Sequence, residues 1–184
     1  MAWLTGKEIH KQVKLGRINV EPFTEAQCNP NSYDYRIGPT LRILKCNSEA
    51  NGVPCIDLRK PMVYDEVKIP ETGFLLEPGK AYLGTTIEKI GSNFYPSLVT
   101  GKSSLGRLFI ENHVCAGLID IGFFNHVTLE IKAQLPTLIF PNMRFGQAFW
   151  FESVGECELY KGKYGAERGS NIAEPSRSYL DWDS

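Results

Sequence analysis

The run His126-Val127-Thr128-Leu129-Glu130-Ile131-Lys132 alternates polar and aliphatic residues without a break. Successive side chains of a β-strand point to opposite faces, so Val127, Leu129 and Ile131 share one face and Thr128 and Glu130 the other. Outward from this run, short apolar or alternating segments recur at Tyr33–Ile37, Leu41–Leu44, Gly73–Leu76, Ala81–Ile87, Leu98–Thr100, Thr137–Phe140 and Gln147–Glu152. Turn signals such as Asn51-Gly52, Pro78-Gly79 and Pro141-Asn142 punctuate them. Many short strands at this spacing predict an all-β sandwich or jelly roll rather than an α/β fold. Only residues 4–15 read as helical: Leu4, Ile9 and Val13 give an amphipathic pattern, with Thr5 as N-cap and Gly16 as stop.

The 184 residues suit one compact domain, and no internal repeat is evident. With 42% apolar residues, 22% charged residues and a net charge of −1, the composition argues against disorder. It also argues against a nucleic-acid-binding surface, which needs a basic excess. No stretch approaches the roughly 18 apolar residues of a membrane span, and the first residues lack a secretory pattern. The five cysteines, Cys28, Cys46, Cys55, Cys115 and Cys157, are scattered, and no pair has CxxC spacing. They read as reduced thiols, so the expected location is the cytoplasm. From Lys161 on the chain is polar, and the expectation for 161–184 is a flexible tail, frayed or ordered by a ligand or a neighbouring subunit.

Three segments could carry chemistry. Gly101-Lys102-Ser103-Ser104-Leu105-Gly106-Arg107 can present backbone N–H groups, hydroxyls and two cations to a phosphate, or can be a polar loop entering a short helix. It lacks Walker A spacing. Glu130 is either an exposed strand residue or a carboxylate on a rigid pocket wall, able to shuttle protons. In His113-Val114-Cys115-Ala116-Gly117-Leu118-Ile119-Asp120-Ile121-Gly122-Phe123, Cys115 reads as a buried small apolar residue, and Asp120 as a turn former or an acceptor for a sugar hydroxyl.

Taken in order, these segments resemble the dCTP deaminase branch of the trimeric dUTPase superfamily. Asn31–Gly38 is similar to the family's early strand, and Leu76–Gly79 with Leu83–Glu88 to its central hairpin. Gly101–Leu108, Gly117–Phe123 and Val127–Glu130 are similar to its nucleotide-binding and catalytic segments. Pro141–Gln147 and the tail residues Lys163-Tyr164, Arg168-Gly169 and Pro175-Ser176-Arg177 complete the set. The resemblance implies a distorted jelly-roll subunit of the dUTPase-like type and a homotrimer with sites at subunit interfaces. The implied reaction is hydrolysis of dCTP to dUTP and ammonia. Two alternatives are a bifunctional enzyme giving dUMP and a dCMP-preferring deaminase, and a non-catalytic nucleotide-binding assembly protein is a third. It further implies Mg²⁺ carried by the phosphates and feedback inhibition by dTTP.

Carried over by position, Glu130 resembles the catalytic acid/base, and Ser103 and Arg107 the pair that holds the attacking water. Asp120 falls near the deoxyribose 3′-hydroxyl, and Ala116 and the backbone of Thr128 and Leu129 at the base. Lys102, Ser104, Gln147, Tyr160 and Lys163 fall where phosphate contacts are expected. Lys102 stands where the family has Arg, Cys115 where it has Thr, and Glu167 where it has Gln. Zinc-dependent cytidine deaminases carry H-x-E and P-C-x-x-C, and this chain has neither, so no zinc is expected.

Overall fold

The computed structural model describes residues 2–165 and 172–181 of the chain. Helix α1 spans Gly6–Lys14, and the Thr5 hydroxyl caps it by accepting from the Glu8 N–H at 3.3 Å. Gly16, at φ +68°, takes the left-handed turn that ends it. Fourteen strands follow among the described residues. They are β1 Asn19–Glu21, β2 Tyr33–Arg36, β3 Thr40–Lys45, β4 Ser48–Ala50, β5 Val53–Cys55, β6 Val63–Lys68 and β7 Phe74–Leu76. The remainder are β8 Tyr82–Gly91, β9 Ser97–Gly101, β10 Ile110–Glu111, β11 Leu118–Ile119, β12 Phe124–Ala133, β13 Thr137–Ile139 and β14 Arg144–Trp150. The short helix α2, Ser103–Gly106, sits between β9 and β10. The all-β architecture with a short N-terminal helix is the one the strand pattern predicts.

Two sheets carry the core. One has the order β10-β12-β8-β3-β6, with β1 also on β8; the other runs β11-β9-β14-β2. Tyr82, Leu129 and Ile131 from the first and Tyr33, Tyr35, Phe145 and Trp150 from the second meet in a single buried cluster. Leu129 and Ile131 are inward and buried while Thr128 and Glu130 are only half-buried, so the alternation predicted for β12 holds. A register irregularity between His126 and Thr128 interrupts the pairing with β8, after which Thr128 faces Thr85 and Glu130 faces Leu83. Such a bulge re-aims the strand beyond it, here the segment bearing Glu130. The Asn51-Gly52 turn, with both residues at positive φ, joins β4 to β5 as a two-residue hairpin. Among the described residues, no helix is long and apolar enough to cross a membrane.

Candidate active site

β12 offers Thr128 and Glu130 to a cavity of about 410 Å³, within the size range of small-ligand sites. Leu44 of β3 and Leu83 of β8 give it apolar walls, and Ile119 of β11 with Asp120 and Phe123 just after it close a second side. Tyr160, Tyr164, Glu174, Pro175 and Ser176 line it from the C-terminal region. Gly122 makes that approach possible. At φ +94° it holds a backbone turn, and a Cβ there would stand 2.7 Å from the Tyr160 nitrogen. The Tyr160 N–H donates to the Ile121 carbonyl at 2.7 Å, and its ring meets Phe123 edge-on.

The loop from Asn112 to Gly117 fixes the Glu130 carboxylate. The Cys115 backbone N–H donates to Glu130 Oε2 at 3.2 Å, and the Cys115 thiol approaches the same oxygen at 3.8 Å. Cys115 is exposed, not buried as its small-residue neighbours predict. The loop turns its side chain outward toward Glu130, a long-range contact that adjacent residues do not encode. His113 lines the cavity, and both of its ring nitrogens are buried without a hydrogen-bond partner among the described residues.

Part of the C-terminal region packs on the same chain. The Glu174 N–H donates to the Thr128 hydroxyl at 3.0 Å, and Arg177 Nε donates to the Glu174 carboxylate at 2.7 Å. Arg42 donates to the Ala173 carbonyl, pairs with Glu66 at 3.3 Å and stacks over Tyr64. Lys163 hydrogen-bonds Asp181 at 2.6 Å, which raises the lysine pKa above its ordinary value. Glu167 and the Arg168-Gly169 pair lie outside the described residues.

The sequence-derived candidates thus separate into two groups. Glu130, Asp120, Ala116, Thr128 and Tyr160 converge on the cavity. Leu129 does not line the cavity, and its side chain is buried in the core. Ser103, Ser104 and Arg107 are exposed on and beside α2, and none of their side chains has a partner among the described residues. Lys102 and Gln147 instead reach Asp34 on β2. None of these five lines the cavity, and neither does Lys163. Among the described residues the cavity's charged lining is acidic: Asp120, Glu130 and Glu174, with no Lys or Arg. Its apolar and aromatic walls with convergent acceptors suit a nucleobase and sugar, whereas a triphosphate needs cations, which the described lining does not supply. Leu44, Leu83, His113, Tyr164 and Glu174 were not singled out as contacts by sequence reasoning. Lys163-Tyr164 and Pro175-Ser176-Arg177 were the tail signals pointing toward them. Among the described residues, no three His, Cys, Asp or Glu side chains gather as a metal site.

Residues 3–153 match a family model described as dCTP deaminase-like. Over 181 residues, 98% of each chain, the sequence is 39% identical to a Clostridium beijerinckii protein named "dCTP deaminase, dUMP-forming". A protein of the same name from Leptospira biflexa is 40% identical over 182 residues, again 98% of each chain. Among solved structures, the 2′-deoxycytidine 5′-triphosphate deaminase of Agrobacterium tumefaciens has the same fold, with a TM-score of 0.64 at 22% identity over 83% of this chain. The present chain spans 48% of that longer one.

Proposed function

The chain belongs to the dCTP deaminase-like family, and from that premise we propose that it deaminates dCTP and carries the product on to dUMP. The observation that carries the reading is the cavity itself. It holds a fixed carboxylate, Glu130, beside Asp120 and an apolar-aromatic wall, and no cation lines it among the described residues. In the proposed reaction, a water attacks C4 of cytosine and Glu130 passes its first proton to N3, where it stays. Glu130 then carries the proton of the new C4 hydroxyl to the amino group, which leaves as ammonia while C4=O forms. The Cys115 N–H at 3.2 Å keeps the carboxylate oriented for both transfers. Ser103 and Arg107, absent from this cavity, are proposed to enter from a second copy, where Arg107 would sit beside the nascent hydroxide. The homotrimer is therefore part of the proposal.

The sequence resemblance implied dUTP as product, with dUMP as the alternative. The names of relatives at about 40% identity favour the alternative. In that case a second water attacks the α-phosphorus of dUTP and pyrophosphate leaves. Incubation with dCTP and Mg²⁺, followed by separation of products, is expected to yield ammonia, dUMP and pyrophosphate in equal amounts. Accumulation of dUTP without dUMP would overturn the second step, and absence of ammonia the whole reading.

The deamination is further proposed to need no protein-bound zinc, since the ligand spacing of zinc deaminases is missing from the sequence. The Mg²⁺ expected with the triphosphate would be held by the phosphates. Exhaustive EDTA treatment followed by restored Mg²⁺ is expected to return full activity. One zinc per chain in active protein, by elemental analysis, would rule this out.

A further inference from the structure

Away from the cavity, charge gathers around a buried carboxylate that the proposed chemistry does not use. Asp34 lies on β2 with no solvent exposure. It faces Gln147 across the β2–β14 pairing, and Gln147 faces Thr100 of β9, two residues before Lys102. Asp34 Oδ1 accepts from Asn29 Nδ2 at 2.6 Å and from Gln147 Nε2 at 3.1 Å. Oδ2 meets the Lys102 ammonium in a short ion pair and Arg144 Nη1 at 3.4 Å. Every oxygen of the carboxylate is thus committed, and two cations share one negative charge. The surplus positive charge is turned outward, since the Lys102 side chain is 27% exposed and that of Arg144 46%. A buried ion pair serving stability alone is commonly replaceable by apolar packing. Here the partners of the carboxylate are instead two residues expected at phosphate, Lys102 and Gln147, and a third donor beside them.

We propose that Asp34 is a positioning residue for the phosphate side of the site. It fixes Lys102, Arg144 and Gln147 as one unit that receives the phosphates of the nucleotide. This rests on the reading in which Lys102 meets phosphate. Long side chains lose rotamer freedom when they engage an anion. Asp34 imposes that ordering in the folded protein, before the nucleotide arrives, and anchors the start of α2 through Lys102. Arg144 becomes a further phosphate-side cation. Its guanidinium is already oriented by Asp34 and by the Ala26 carbonyl, to which Nη2 donates at 3.0 Å.

The test measures binding in a Glu130→Gln background, where dCTP is expected to be consumed at least about 10²-fold more slowly. Calorimetry with dCTP, and competition with deoxycytidine, are run with D34N, with K102A and with both together. Asp34→Asn is expected to weaken dCTP about tenfold, within the range over which contacting side chains couple, and to leave deoxycytidine unchanged. Lys102→Ala should also weaken dCTP, and the loss in the combined protein should fall clearly short of the sum of the two single losses, the remainder coming from Arg144 and Gln147. Additive losses, or equal weakening of deoxycytidine, would reduce Asp34 to a structural residue and overturn the proposal. If Lys102→Ala weakens dCTP and Asp34→Asn does not, the Asp34 role fails while the phosphate reading stands. If Lys102→Ala has no effect, the phosphate reading fails and the Asp34 role with it. Should Asp34→Asn not fold, Asn29→Ala removes one donor to the carboxylate without altering charge. It is expected to weaken dCTP about threefold in the same selective way, and no change there would equally overturn the proposal.

Discussion

Glu130→Gln is expected to lower turnover by at least about 10²-fold, or roughly 2.7 kcal/mol of barrier, while dCTP still binds and the fold is kept. The glutamine carbonyl can go on accepting from the Cys115 N–H that now meets Oε2 at 3.2 Å. The β12 backbone is held by Leu129 and Ile131, both buried in the core, so the substituted side chain stays on the cavity wall. What is lost is the basic oxygen that takes protons from the attacking water and delivers them to N3 and the leaving group. The amide has nearly the same shape and no such capacity. Ammonia release gives the rate, and calorimetry with dCTP gives the binding. Turnover within a few-fold of the parent protein would remove Glu130 from the catalytic role, and loss of dCTP binding would assign it to recognition instead.

How much of this was legible in the sequence depended on whether a residue's position follows from its neighbours in the chain. The alternation over 126–132 predicted which face of β12 Glu130 occupies, because strand geometry alone decides that. The Thr5 cap and the positive-φ turns at Asn51-Gly52 and Asn142 were visible for the same local reason. β6 was missed because Val63–Lys68 lies at the sheet's edge, with only Tyr64 and Val67 half-buried, so its apolar signal is thin. The extra partner strands β1, β4, β5, β10 and β11 have two or three residues each, too few to show a period. Cys115 beside Glu130 and Glu174 on Thr128 join residues 15 and 46 positions apart, and no local pattern reports such contacts. Asp34 looked like an ordinary strand position between Tyr33 and Tyr35. Its importance appears only when β9 and β14 bring Lys102 and Gln147 to it.

A mixture of two inactive variants is expected to regain activity. One carries Glu130→Gln and the other Arg107→Ala, and each alone should turn over at least about 10²-fold more slowly than the parent. Within a single chain, Arg107, Ser103 and Ser104 are exposed beside α2 with no side-chain partner among the described residues, and none lines the cavity holding Glu130. Among the described residues the cavity's charged groups are all carboxylates, and the cations that the resemblance places at phosphate lie outside it. If those cations come from a neighbour in a closed ring, each site combines one chain's cavity with another chain's Gly101–Arg107 segment. When the two variants are refolded together in equal amounts, a site is intact only when an Arg107→Ala chain supplies the cavity and a Glu130→Gln chain supplies the segment. Random assembly then restores about one quarter of the parent activity. The measurement is ammonia release by the mixture against each variant alone, with light scattering on the same samples to establish trimers. Rescue near one quarter places Glu130 and Arg107 on different subunits. No rescue in demonstrably mixed trimers would put both residues in one chain's site, and α2 would then have to move toward β12 when the nucleotide binds. Activity in a monomer would remove the shared site altogether.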